Sequence, residues 1–217
     1  MKIKFKKRYI LYAAIISSLT LLALSGTIMS QVNEPQFNII QASGNIEIRE
    51  YKPVIVAQVV MGGERKEAIS AGFRVLADYI FGNNSPQQKI PMTAPITQQA
   101  GKKIAMTAPV IQQKSPEKGN WKIRFVMPSN YTLDTLPQPN DQRVEVLAVP
   151  EKLYAVIRFS GLSSHDNLES HLEELRTYLK EQNLRPIDDP VMAFYNPPWT
   201  LPFLRRNEVM IEISPGG

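Results

Sequence analysis

Residues 45–82 read NIEIREYKPVIVAQVVMGGERKEAISAGFRVLADYIFG. Ile46 and Ile48 alternate with Glu47 and Arg49, the period-two pattern of a half-buried strand. PVIVAQVVM follows as a second, more deeply buried strand. The next stretch predicts a helix, because Ile69, Phe73, Leu76 and Ile80 fall on one apolar stripe and Gly82 stands where a helix C-cap belongs. The same order returns from residue 143. RVEVLAVP sets Val144 and Val146 on one face, LYAVIRFSG is the buried strand, and SSHDNLESHLEELRTYLKEQN is the helix. Its stripe of Leu168, Leu172, Leu175 and Leu179 repeats the steps of the first at a displacement of 99 residues. Two matched strand-strand-helix units point to one duplicated domain. WKIRFVMP extends the first unit, and VMAFY and NEVMIEI extend the second. The expected fold is therefore α+β: an antiparallel sheet, curled or closed into a barrel, with two helices packed outside.

The first thirty of the 217 residues differ from the rest. Lys2, Lys4, Lys6, Lys7 and Arg8 precede an uncharged run from Tyr9 to Ser30, long enough at about 1.5 Å per residue to cross a hydrocarbon core of about 30 Å. Residues 1–30 thus read as a signal peptide or a membrane-anchoring hydrophobic helix. Ala23 and Ser25 suit cleavage before Gly26, and both fates stay open. Either one delivers the remainder to the non-cytoplasmic side, membrane-bound or exported. Residues 31–44 read as a polar linker and 45–214 as the folded domain. Removing the five basic charges of the leader from 25 Lys plus Arg leaves 20 against 20 Asp plus Glu. A neutral domain removes the main support for nucleic-acid binding. With no cysteine, the fold rests on its apolar core.

Between the two units one phrase occurs twice. Lys89, Ile90, Met92, Thr93, Ala94 and Pro95 return as Lys103, Ile104, Met106, Thr107, Ala108 and Pro109. Ile90, Met92, Ala94 and Ile96 share one strand face, and Ile104, Met106, Ala108 and Val110 share the other's. The two faces coincide in a hairpin with an odd loop, which predicts a three-residue turn at 100–102. Pro91, Pro95 and Pro109 remove ladder donors and so confine these strands to an edge or a bulge, which makes the expected hairpin an extended edge hairpin. A local lengthening of the sheet and a methionine-lined wall of a binding groove are the two readings. An exposed doubled hairpin could also recruit a strand from a protein partner.

The catalytic vocabulary is thin. His165 and His171 are the two histidines, about 240° apart around a helix, and cannot share a ligand face. In SSHD, residues 163–166, helix capping by Ser164 or Asp166 explains the cluster better than a triad does. Asp188 and Asp189 before Pro190 read as a turn. The domain is read as non-catalytic. In YNPPWTLPFLRRNEVMIEI, residues 195–213, Tyr195, Trp199 and Phe203 form a proline-stiffened apolar loop followed by Arg205 and Arg206. Apolar surface beside guanidinium groups suits a flat apolar ligand bearing carboxylates.

The helix AISAGFRVLADYIFGNN, the phrase KIPMTAPIT and the ending YNPPWTLPFLRRNEV, in that order, resemble the SOUL heme-binding protein family, over about residues 45–213. The resemblance implies a distorted barrel of eight antiparallel strands with two helices. It also implies a non-catalytic carrier of heme or another porphyrin, held in a shallow groove near the first helix and the late loop. By position, Phe73, Ala77, Trp199, Phe203, Arg205 and Arg206 would border that groove, with Met92 and Met106 on its wall. Some members place a histidine in an Arg-His-Tyr phrase on the first strand, whereas this chain has Arg49, Glu50 and Tyr51. The porphyrin is thus expected without a histidine axial ligand, leaving Met92, Met106, Tyr51 or no protein ligand.

Overall fold

The computed structural model describes residues 34–85, 104–115, 119–196 and 199–214. The expected N-terminal helix, Met92 with the first copy of the phrase, and the turn expected at 100–102 lie outside these residues.

Both predicted units form. β2 (Ile46–Tyr51), β3 (Val54–Gly62) and α1 (Arg65–Phe81) make the first; β8 (Glu145–Val149), β9 (Lys152–Phe159) and α2 (His165–Glu181) make the second. β5 (Val110–Lys114) and β6 (Asn120–Val126) extend the first unit, as β10 (Val191–Phe194) and β11 (Asn207–Glu212) extend the second. With β1 (Phe37–Ser43) they form one curled antiparallel sheet in the order β1-β2-β9-β11-β10-β5-β6-β3-β8. β4 (Asn84–Ser85) and β7 (Gln138–Pro139) pair separately. Setting β1 aside, the order is symmetric about the β10-β5 boundary, where Phe194 lies across from Val110. The units exchange strands: β2 pairs with β9 and β3 with β8.

The sheet has nine strands rather than eight. The extra one, β1, comes from a stretch that its polar composition marks as linker. It is an edge strand, paired with β2 alone, and it exposes Ile39 and Ile40 along with its polar side chains. The second copy of the phrase also departs from expectation. Residues 104–109 are not a strand, and β5, which follows Pro109, is an interior strand between β10 and β6. Pro109 did not set an edge, because the ladder starts after it; Pro91 and Pro95 lie outside the described residues. Ile104 is fixed instead through its N–H to the Ile80 carbonyl, and the Thr107 hydroxyl donates to the Val126 carbonyl.

Alternation along the strands sorts the core. Leu168, Leu172, Leu175 and Leu179 of α2 pack on Ile48, Ala155, Ile157, Val209 and Ile211, as their spacing predicts. α1 packs on Ala57, Val59, Ile123 and Phe125, but its buried face is Ala68, Gly72, Leu76, Tyr79 and Ile80, about one residue round from the predicted stripe. Gly72 is the reason. A Cβ there would stand 2.7 Å from Ile123 Cδ1, so α1 lies against β6 along its glycine. Phe73 is turned outward, 37% exposed, whereas its repeat counterpart Leu172 is 4% exposed. His171, the counterpart of Gly72, stacks on Phe159 at 4.0 Å between ring centroids. At the start of α2, Ser164 holds the N-cap position without a side-chain cap bond; Asn167 Nδ2 reaches back to the Leu162 carbonyl instead.

Repeat-equivalent positions should therefore answer truncation differently. Leu172→Ala should cost about 2–5 kcal/mol and Phe73→Ala about 1 kcal/mol or less in chemical denaturation. Gly72→Ala should be destabilising by about 1 kcal/mol, overpacking against Ile123 exceeding the gain in helix propensity.

Candidate ligand-binding site

The late loop runs from the end of β10 to β11 and is held by its backbone. A short 3-10 turn at Pro202–Leu204 is tied to the segment before α2 by Gly161 N–H donating to the Pro202 carbonyl at 2.9 Å. Asn207 Nδ2 donates back to the Gly161 carbonyl, and Arg206 N–H to Asn196 Oδ1. This frame leaves Trp199 61% exposed and Phe203 70% exposed, with Leu162 outside beside them.

Arg206 points into the protein. Its Nε donates to Glu208 Oε1 at 2.9 Å, its Nη1 reaches Glu34, and its guanidinium lies 3.8 Å over the Tyr195 ring. Glu208 is fully buried, and its other oxygen accepts from Arg49 Nη1 at 3.0 Å and the Tyr195 hydroxyl at 2.7 Å. Burial alone would lower the Arg49 pKa, but Glu208 and Tyr51 outweigh it and hold it above its ordinary value. Arg205 Nε donates to the Thr200 carbonyl at 2.7 Å.

Below the loop lies a groove of about 550 Å³, bordered by Asn45, Glu47, Arg158, Ser160, Phe203, Leu204, Arg205 and Arg206. Arg158 was not singled out by the sequence. It sits opposite Glu208 in the β9-β11 ladder, yet its side chain makes no hydrogen bond or ion pair among the described residues. Its position in an alternating strand resembles any solvated arginine, so only the groove it shares with the loop marks it out.

The predicted residues fall into two groups. Phe203, Arg205 and Arg206 line the groove, with Trp199 in the same loop. Phe73 and Ala77 lie on α1, with Phe73 edge-on to Phe125 at 5.3 Å between centroids. They border the seam between the helices, floored by Phe194 and Val110 at the margins of the two clusters. Met106 is exposed just before β5. Of the ligand candidates for an iron, Tyr51 accepts from Arg49 Nη1, and burial with the nearby Glu208 charge pushes its pKa up to about 12, which disfavours the phenolate. Among the described residues no group of acids and histidines is arranged to hold a metal ion.

A family model described as SOUL heme-binding protein matches residues 32–101 and 97–212. The chain belongs to the SOUL heme-binding protein family. The two matched stretches overlap at 97–101, between the copies of the doubled phrase. Similar proteins include human heme-binding protein 2, 31% identical over 176 residues, covering 77% of this chain and 78% of that protein. Mouse heme-binding protein 2 is 30% identical over 173 residues with the same coverage. Among solved structures, the C-terminal domain of EcmrR superposes with a TM-score of 0.56 at 10% identity, covering 78% of this chain and 96% of that one. A hydrolase from Listeria innocua superposes with a TM-score of 0.53 at 11% identity, covering 81% and 94%. At these identities the structural likenesses show a shared fold.

Because Glu208 is buried with three partners, removing its charge should strand two guanidiniums. Glu208→Gln should cost about 3–5 kcal/mol in denaturant unfolding.

Proposed function

We propose that the chain is a non-catalytic tetrapyrrole-binding module and that the late-loop groove takes the edge of the macrocycle. The observation that carries this placement is Arg158, a guanidinium without a protein partner among the described residues, beside the exposed Phe203 ring in one groove. A porphyrin presents an apolar plane and carboxylates, and the groove offers apolar contact from Phe203 and Leu204 with cationic pairing from Arg158 and Arg205. Arg206 supports the loop through Glu208 instead of meeting the ligand. The names of the human and mouse relatives support heme as the pigment. Bound heme would supply the visible absorption and any redox chemistry, while the protein's share is binding and orientation. A second placement, on Phe73 and Ala77, is favoured by the exposure of Phe73 over the seam floor.

Titration of the full-length protein with hemin tests the reading. A saturable Soret shift and quenching of tryptophan fluorescence are expected. Arg158→Gln and Phe203→Ala should each weaken binding about tenfold while the unfolding midpoint holds. A Soret band identical to that of free hemin ends the proposal; loss in Phe73→Ala with wild-type affinity in Arg158→Gln moves the pigment to the seam.

We place the domain on the non-cytoplasmic side, exported or held by residues 9–30. Among the described residues no helix is long and apolar enough to cross a membrane, so this rests on the leader's sequence. External protease should cleave the domain in intact cells, and retention of the leader should keep it in the pellet after alkaline extraction. Full protection of the domain in intact cells would refute the assignment.

A further inference from the structure

The face of the sheet away from both helices has a cavity that the tetrapyrrole reading does not use. Side chains from eight strands border it, so the sheet curls around it. Val56, Ile111, Val126, Val191 and Met210 make its apolar wall. Two polar side chains reach it with N–H or O–H groups that no protein acceptor takes among the described residues. Arg124 Nε donates to Gln58 Oε1 at 2.9 Å, and its remaining N–H groups have no partner among the described residues. The Tyr154 hydroxyl has no hydrogen bond among the described residues either, although its ring packs edge-on against Tyr51.

The acids around Arg124 are engaged elsewhere. Glu145 accepts from Gln58 at 2.7 Å, Asp188 from Gln113 at 3.0 Å, and Glu212 pairs with Lys152. Burial lowers the Arg124 pKa, and these carboxylates with Tyr154 offset that loss in part. Tyr154 is shifted upward, first by burial and then by Glu212, and so stays a donor. Neither donor is among the fully buried unpartnered atoms of the described residues, so each can exchange water for an anionic acceptor at an apolar wall.

We propose that this cavity binds an amphipathic monocarboxylate, its carboxylate on Arg124 and Tyr154 and its hydrocarbon chain against the valine wall. Its volume, about 60 Å³, is on the scale of a head group. It shares Lys52, Val54 and Val126 with a cleft of about 380 Å³ that contains Ile55, Pro128 and Ala148. The chain of the ligand runs into this cleft.

Calorimetric titration of full-length protein with hexanoate tests the site, with 1-hexanol as the uncharged probe of equal length. Hexanoate should bind saturably at millimolar concentration, and 1-hexanol about tenfold more weakly or less. Arg124→Gln and Tyr154→Phe should each weaken hexanoate and leave 1-hexanol and hemin unchanged. If Arg124→Gln does not fold, Tyr154→Phe decides, since it removes one oxygen from a hydroxyl without a protein partner. Equal affinity for the two probes, wild-type affinity in the folded variants, or no saturable heat with hexanoate overturns the proposal. Hemin binding is read separately, so failure here is distinguishable from failure of the tetrapyrrole reading.

Discussion

Glu208 is the carboxylate on which the late-loop end of the molecule depends. It lies on β11 with no solvent contact, and it draws in Arg49 from β2, Tyr195 from the end of β10, and Arg206 from the late loop. Isolated, such a charge would be expelled from the interior; ringed by two guanidiniums and a hydroxyl, it fixes three strands and one loop. The loop is thereby clamped from below by Arg206, while Phe203 and Trp199 stay outside. Rigidity beneath and apolar surface above come from the same few residues.

The duplicated units are alike in backbone and unlike in surface. α1 and α2 are 17 residues each, and both cover the same side of the sheet. α2 buries a leucine at every stripe position. α1 has glycine where α2 has histidine, approaches β6 closely, and turns Phe73 out toward the seam. A symmetric pattern of strands thus carries two different helix surfaces.

Much of this was legible in the residues. The two units, the second helix's stripe and the Gly82 cap follow from local periodicity, and the structure has all three. β1 was hidden because an edge strand needs no apolar face. The α1 stripe was misplaced because periodicity reports which side chains are apolar and is blind to a close approach at a glycine. The two arginines of the loop read alike, yet one is bound inward by an acid two positions along. Arg158, Arg124 and Tyr154 left no signal, since each is an ordinary residue of an alternating strand until the fold brings distant segments beside it. Cationic residues were sought among sequence neighbours, whereas the groove brings Arg158 of β9 beside Arg205 of the loop.

The exchange of strands between units also bears on how the chain comes together. Ile46 meets Ile157 and Val54 meets Val149, so neither unit completes its own sheet. Pairings of this sequence separation close late and slowly, after most of the chain has left the ribosome. A polypeptide severed between the units would give two fragments, each presenting the ladder its counterpart lacks. The architecture is that of two interlocked half-molecules made into one by a covalent bridge.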